Sequence, residues 1–394
     1  MNIGLLISTV RLENRGIGGH YYSLLALADS LNKEHNVIII NIGLKKSFVL
    51  EHSGWKINNI ISKIPFPLHT YKSLKKVIKE NEIDILHAFD VQSFFWARVT
   101  GFVNKIPYLL TKCGGPNPEG YYPVSKTFIL FSKENYNYFH SHHKFNDSNI
   151  HLIPNRVNNF QINKKRIESL QKKKDLTKYS HVLLRISRIG VSYDLSNSQI
   201  INLLLRLRKD KLNVCLLLIG TIENEQLPEK YLEMDENIFI LSDNSYTLNS
   251  KELLGIADCV MGTGRSFMEA SSIGTVMLAP NRNSAYPVLV DQTNFDVISD
   301  TNFSERYQSS IFMDEISYSK IKELLLCDER KRKYGFYIKS QFDKFFNINA
   351  VLKDYDEIYT TIKPASDECF VDIIKNYWNY AKYEIKHVLS CLKK

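Results

Sequence analysis

The chain has 394 residues, 44% of them hydrophobic and 24% charged, and a formal net charge of +9. The length exceeds one ordinary hydrophobic core and suits two domains of roughly 150 to 200 residues each, while the composition excludes a disordered chain. The positive balance points to anionic partners: nucleic acid, an anionic membrane face or phosphorylated substrates.

The opening MNIGLLISTVRLENRG has too short an apolar run, and no small-residue cleavage site, for a signal peptide. Within it IGLLIST predicts a buried strand, followed by a glycine turn, the helical HYYSLLALADSLNKEH and a second strand, NVIIINIG. IDILHAF, IPYLLTK, TFILFS and NIHLIPNRV continue the alternation. Continuous apolar runs separated by amphipathic helices predict a parallel sheet covered on both faces. The polar, basic NKKRIESLQKKKDLTK then has little to bury and predicts a solvated linker with a helical turn or two. Alternation restarts at HVLLRIS and runs through NVCLLLIG, NIFILS, the helical SKELLGIA, DCVMGTG, SFMEASSIG and TVMLAP. The expected organisation is an N-terminal Rossmann-like domain over 1–160, a basic linker over 161–180, a second Rossmann-like domain over 181–345, and C-terminal helices over 346–394 crossing back to the first. This is an α/β fold of two doubly wound parallel sheets, and such sheets bind ligands at the carboxyl ends of their strands, here in an interdomain cleft. No apolar stretch approaches about 18 residues, so no membrane span is expected. Six scattered cysteines without CxxC or Cys/His metal spacing predict a reducing compartment.

Chemistry is expected at the strand ends. Gly16, Gly18 and Gly19 lie between the first strand and helix, but Tyr21 stands where GxGxxG needs its third glycine, and the second strand ends in NIG without a ribose-binding acid. A nicotinamide dehydrogenase is disfavoured, leaving a turn where a ligand can approach a helix N-terminus. His87 ends a strand as a candidate cleft donor or acceptor, against the bland reading of a satisfied core histidine. Lys112 precedes Gly114 and Gly115. Arg185 and Arg188 sit at the end of the first strand of the second half, and guanidinium forks suit phosphate oxygens. In DCVMGTGRSFMEASSIG, Gly262 and Gly264 remove side chains where a pyrophosphate would meet helix amides, and Arg265 adds charge. One turn on, Glu269 can accept both hydroxyls of a ribose. The Asp-x-Asp at Asp354–Asp356 falls within a helical stretch, where two such residues diverge, so no metal site is expected. The tail ECFVDIIKNYWNYAKYEIKHVLSCLKK spaces apolar residues helically; it either packs across the N-terminal half or, as a basic aromatic helix, lies on a membrane surface.

IADCVMGTGRSFMEASSIGTVMLAP, IHLIPNRVNNF and FDKFFNINAVLKDYDEIYTTI together resemble the two-domain GT-B glycosyltransferases of the retaining group-1, family 4-like type. That resemblance implies a nucleotide-sugar co-substrate, UDP- or GDP-linked, with no other cofactor and no metal. It implies Glu269 as the second glutamate of E-x7-E, on the donor ribose, with Gly262, Thr263, Gly264, Arg265 and Ser266 lining the diphosphate. Arg188 matches the arginine of the phosphate-binding Arg/Lys pair, Gly18, Gly19 and Lys112 the acceptor and phosphate loop, and His87 the N-domain cleft. The catalytic set is then His87, Arg188 and Glu269. Two positions depart from the pattern, with Met261 in place of the first glutamate and Tyr193 in place of the lysine. The shortened turn resembles a subgroup from polysaccharide and surface-glycan assembly. The expected reaction is transfer of a sugar to a glycan or lipid-linked acceptor with retention, in the cytoplasm or at the inner face of the plasma membrane. A non-hydrolysing nucleotide-sugar epimerase, drawing on Glu13, Asp84 or Asp90, and a catalytically silent sugar- or nucleotide-binding protein are the alternatives. No nucleic-acid partner is expected, because the basic run lacks interleaved aromatics.

Overall fold

The computed structural model describes residues 1–10, 18–62, 67–309 and 314–392. The chain divides into two compact units, 1–158 with 348–394, and 159–347.

In the first unit, β1 (Asn2–Thr9), β2 (Asn36–Gly43), β3 (Ile57–Ile61), β4 (Ile85–Ala88), β5 (Tyr108–Lys112), β6 (Thr127–Leu130) and β7 (Asn149–Leu152) form one sheet. Its order is β3-β2-β1-β4-β5-β6-β7, parallel throughout. Successive side chains of a strand face opposite layers. Ile3, Leu5 and Ile7 join the core beneath the helices Gly19–Leu31 and Leu352–Thr361, whereas Leu6 joins the layer holding Leu74, Phe94 and Trp96. Both faces being apolar, the strand is an unbroken hydrophobic run. The helix Phe370–Leu392 packs in that second layer, with the Tyr380 ring 6.0 Å from Phe95 and 5.4 Å from Trp96. The strand β3 was not expected, because the asparagines of INNII interrupt its apolar run. Asn59 is held instead by a hydrogen bond from Asn41 Nδ2, 3.0 Å.

In the second unit, β8 (His181–Ile186), β9 (Val214–Ile219), β10 (Ile238–Leu241), β11 (Cys259–Met261), β12 (Val276–Ala279) and β13 (Val288–Leu289) run in the order β10-β9-β8-β11-β12-β13. All pair in parallel except β13, an antiparallel edge too short to announce itself in sequence. In both sheets the strand order reverses beside the first strand, between β1 and β4 and between β8 and β11. A crevice opens at such a switch point.

The basic stretch 161–180 corrects an expectation, since it is a docked part of the second unit and no solvated linker. Lys164–Lys173 is a helix capped by Asn163 Oδ1, which accepts from the Arg166 amide at 3.1 Å, and Leu170 and Leu176 are buried. Arg166 donates to Glu252 Oε2 at 2.8 Å and to the Ser245 carbonyl at 2.7 Å. A Cβ on Gly255 would meet Ile162 at 2.8 Å, so that glycine lets the incoming chain seat closely. Gly255 itself lies in Ser250–Ile256, expected as helical and found as a 3-10 helix.

Candidate active site

The strand β11 ends at Met261, and the next five residues make an abrupt reversal. A Cβ on Gly262 would come within 2.4 Å of Phe267 Cα, so only glycine lets the helix Arg265–Ser271 fold back against the strand end. Gly264 has φ +51°, in the left-handed region that favours glycine. The Thr263 amide donates to Ser266 Oγ at 3.1 Å, and that hydroxyl donates to the Thr263 carbonyl at 3.1 Å. Phe267 stacks on Phe303 with ring centroids 3.6 Å apart, anchoring the helix from below.

Within this helix Glu269 is only 7% exposed. Its Oε1 accepts from Arg265 Nε at 2.8 Å, one helical turn back. The other carboxylate oxygen takes no hydrogen bond from the described residues. The acid is thus oriented by a cation and withdrawn from bulk solvent, an arrangement a solvated surface charge does not need.

Arg185 supports the turn from β8, across the switch point. It is fully buried, and its guanidinium donates to the Met261 carbonyl at 3.1 Å, to Thr263 Oγ1 at 3.5 Å and to Ser196 Oγ at 2.9 Å. Burial pushes its pKa down to about 10, with Glu305 opposing the shift. Met261, in place of the first glutamate of E-x7-E, is a buried core side chain that contributes its carbonyl to Arg185. Arg188 lies beyond the strand. It donates to Glu223 Oε1 and to the Tyr193 hydroxyl, both at 2.6 Å, with the guanidinium 4.8 Å above the Tyr193 ring. Partial burial works against its charge, but Tyr193 and Glu223 outweigh that and raise its pKa. Tyr193, standing where a lysine was expected, is therefore Arg188's partner.

In the first unit Gly18 is the N-cap of Gly19–Leu31, with φ −70° and ψ 158°, and Gly19 has open space where a side chain would project. Gly16 and Glu13 lie outside the described residues. Tyr21 explains the missing third glycine, because its hydroxyl donates to the Ser8 carbonyl at 2.6 Å and lies 3.1 Å from Thr9 Oγ1. The residue closes the end of β1 where a dinucleotide turn would leave space. Lys112 turns back on its own loop, donating to the carbonyls of Gly114 at 2.6 Å and Pro116 at 3.0 Å.

His87 is a correction. It was expected at the end of a strand facing a ligand, yet it lies within β4, fully buried, with Nδ1 2.8 Å from the Tyr359 hydroxyl and Nε2 2.6 Å from Thr111 Oγ1. Burial pushes its pKa down to about 3, so the ring is neutral and both nitrogens are engaged. The bland reading, a satisfied core histidine, is the correct one. Asp84 and Asp90 are likewise committed: Asp84 accepts from the Asn2 amide at 2.7 Å, and Asp90 from the amides of Ser8 and Ser93, each at 2.7 Å. At the Asp-x-Asp, Asp356 pairs with His35 at 2.8 Å, Asp354 is exposed, and Tyr355 between them is buried.

Arg185, Thr263, Ser266, Arg265 and Glu269 thus occupy one turn and its support, with Arg188 on the loop beyond β8. Sequence reasoning missed Ser196, Glu223 and Glu305. Ser196 and Glu223 follow β8 and β9, a signal that becomes informative only once β9 is known to flank β8, whereas Glu305 follows the helix Phe295–Asp300 and carried no such signal.

Two doubly wound parallel sheets carried on one chain in this order are the GT-B glycosyltransferase fold. A glycosyltransferase from Rickettsia africae matches with a TM-score of 0.66 and 17% identity, covering 91% of this chain and 97% of its own. HepE from Anabaena, in complex with UDP and glucose, matches with a TM-score of 0.66 and 13% identity over 92% of this chain and all of its own. WaaG, a glycosyltransferase involved in lipopolysaccharide biosynthesis, matches with a TM-score of 0.54 and 14% identity over 92% and 100%. Residues 18–120 match the family described as Glycosyl transferase 4-like. No curated protein sequence matches the chain.

Proposed function

We propose that this protein transfers a sugar from a UDP- or GDP-linked donor to a glycan or lipid-linked acceptor. The observation that carries the reading is Glu269: a nearly buried carboxylate on a glycine-shaped turn at the switch point of the second sheet, braced by Arg265, with one oxygen taking no hydrogen bond from the described residues. A ribose offers two adjacent hydroxyl donors to such a group. Arg188 and Arg265 would face the diphosphate, as fixed guanidinium donors stabilise charge developing on a leaving phosphate, and no metal or other cofactor is invoked. The anomeric configuration would be retained through a same-face displacement, in which the departing phosphate assists deprotonation of the acceptor hydroxyl. Gly19 would admit the acceptor at the first unit. The fold likeness to HepE with bound UDP and glucose, and to WaaG of lipopolysaccharide biosynthesis, supports a nucleotide-sugar donor and a role in surface-polysaccharide assembly. The epimerase alternative is weakened, because Asp84 and Asp90 are spent on structural hydrogen bonds.

Incubation with UDP- and GDP-sugars tests the proposal. Slow nucleotide release by donor hydrolysis, together with nucleotide binding by calorimetry, is the expected result. Neither release nor binding with any donor would overturn it.

A further inference from the structure

The C-terminal helix Phe370–Leu392 carries both acidic and basic residues, so its net charge alone argues little. The fold separates them. Asp372 and Glu384 are turned inward and buried. Asp372 accepts from Arg98 at 2.7 Å and from the Val124 amide at 2.9 Å, and Glu384 accepts from the Tyr380 hydroxyl at 2.5 Å. Arg98, fully buried, is also held by Glu368 just before the helix. Removing either acid would strand a buried charge or hydroxyl, so the inward face is locked. Among the helix residues whose side chains are described, every exposed charge is a lysine: Lys375, Lys382 and Lys386.

Alongside those lysines runs an exposed apolar stripe. Val371, Ile374, Trp378, Ile385 and Leu389 follow helical spacing on the solvent side, with Trp378 61% exposed and Val371 60%. No helix of the described residues is long and apolar enough to cross a membrane. An amphipathic helix with an apolar face, a tryptophan and flanking lysines fits the interfacial plane of a bilayer instead, apolar side chains in the acyl boundary and cations at anionic headgroups. A second copy of this chain fits less well, because a symmetric contact would bring like lysines together.

We infer that the outward face of Phe370–Leu392 docks the protein onto an anionic lipid surface, with the Arg98–Glu368–Asp372 cluster fixing the helix so that its acids are hidden and its lysines and apolar stripe are presented. This stands apart from the transfer reading, and its test needs no activity.

The probe is a set of vesicles of phosphatidylcholine alone or with phosphatidylglycerol, added to the full-length protein at low salt. Co-sedimentation with the anionic vesicles and a blue shift of tryptophan emission are expected, the shift being lost in Trp378→Phe. Each lysine near an anionic surface contributes about five-fold to partitioning. The triple variant Lys375→Gln, Lys382→Gln, Lys386→Gln should therefore lower it about a hundred-fold, and Ile374→Ser with Trp378→Ser should abolish it. All these positions are exposed, so thermal midpoints should stay unchanged. Equal sedimentation with both vesicle types, no dependence on the lysines, or a dimer in sedimentation equilibrium that the Trp378→Ser variant dissolves would overturn the inference.

Discussion

Replacing Glu269 with glutamine tests the site with the least structural disturbance. Gln retains an oxygen where Oε1 accepts from Arg265 Nε at 2.8 Å, so the turn should keep its shape, while the thermal midpoint should fall because the Arg265 charge, 11% exposed, loses its counter-charge. The charge is lost. Hydrogen bonds to an ionised acceptor contribute about 1.5–3 kcal/mol and neutral ones about 0.5–1.5 kcal/mol, so weakening two ribose contacts costs about 2–3 kcal/mol, or roughly 30- to 150-fold in affinity. Part of this returns, because an Arg265 less tightly held by residue 269 is freer to meet a diphosphate. A net loss of about 10- to 100-fold in UDP or GDP affinity is expected by calorimetry, with a parallel fall in kcat/KM for donor hydrolysis. The nucleoside alone separates the two contributions. Without a diphosphate it gains nothing from Arg265, so its binding should suffer the full ribose penalty. A folded variant with unchanged affinity for both ligands would refute the assignment of Glu269 to the ribose.

Further outcomes follow from the same geometry. Arg188→Ala should weaken diphosphate binding about ten-fold while leaving the nucleoside's affinity and the thermal midpoint nearly unchanged, since its pair with Glu223 is one-third exposed and such pairs contribute about 0–1 kcal/mol; paired titrations check this. Gly262→Ala should destabilise the second unit by about 1–3 kcal/mol, since the new methyl would meet backbone at 2.4 Å, and denaturant unfolding reads the loss. His87 binds a proton more readily unfolded than folded, its pKa being pushed to about 3 from the usual 6.5. Its contribution to stability is thus complete above pH 6.5 and lost as pH falls towards 3, at up to about 1.4 kcal/mol per pH unit. A His87→Gln variant should lose that slope in pH-dependent unfolding while folded protein keeps nucleotide affinity.

Most strands were legible because burial on both faces demands continuous apolar runs, as in IGLLIST and NVCLLLIG. The edge strand INNII was hidden by its two asparagines, which bond laterally to β2, Asn59 to Asn41 and Asn58 to the Ile39 carbonyl, contacts visible only once β2 and β3 are neighbours. The docked helix at Lys164–Lys173 was hidden for a related reason. Its apolar content is small, and its place is set by Arg166 reaching carbonyls more than 75 residues away in sequence. At the site, the glycines and Glu269 were legible because backbone reversal and a withdrawn acid leave local marks. The status of His87 was not, because Tyr359, which occupies one of its nitrogens, lies 272 positions along the chain. A strand-end histidine aimed at a ligand and one satisfied inside the core have the same local sequence.

The three arginines of the site differ in how readily they could turn to a diphosphate, and their present partners decide the order. Arg185 is the least available: it is buried, both its amino nitrogens are engaged, and moving it would release the Met261 carbonyl and Ser196 inside the fold. Its function is to fix the turn. Arg265 is tied to Glu269 with the two side chains 11% and 10% exposed, so breaking that pair alone would leave a poorly solvated carboxylate. Ribose hydroxyls on Glu269 would supply donors in its place, so the pair of Arg265 with Glu269 would loosen only as the nucleoside seats. Arg188 needs no such exchange, because its partly exposed pair with Glu223 is weak and the Tyr193 ring can support the guanidinium in a new direction. Phosphate would therefore be met first by Arg188 and then by Arg265, which couples nucleoside recognition to charge stabilisation. This coupling also accounts for how the turn could work without a glutamate at Met261 or a lysine at Tyr193. The acid is not needed to hold the turn, since Arg185 holds it through a backbone carbonyl, and the second cation would come from within the helix.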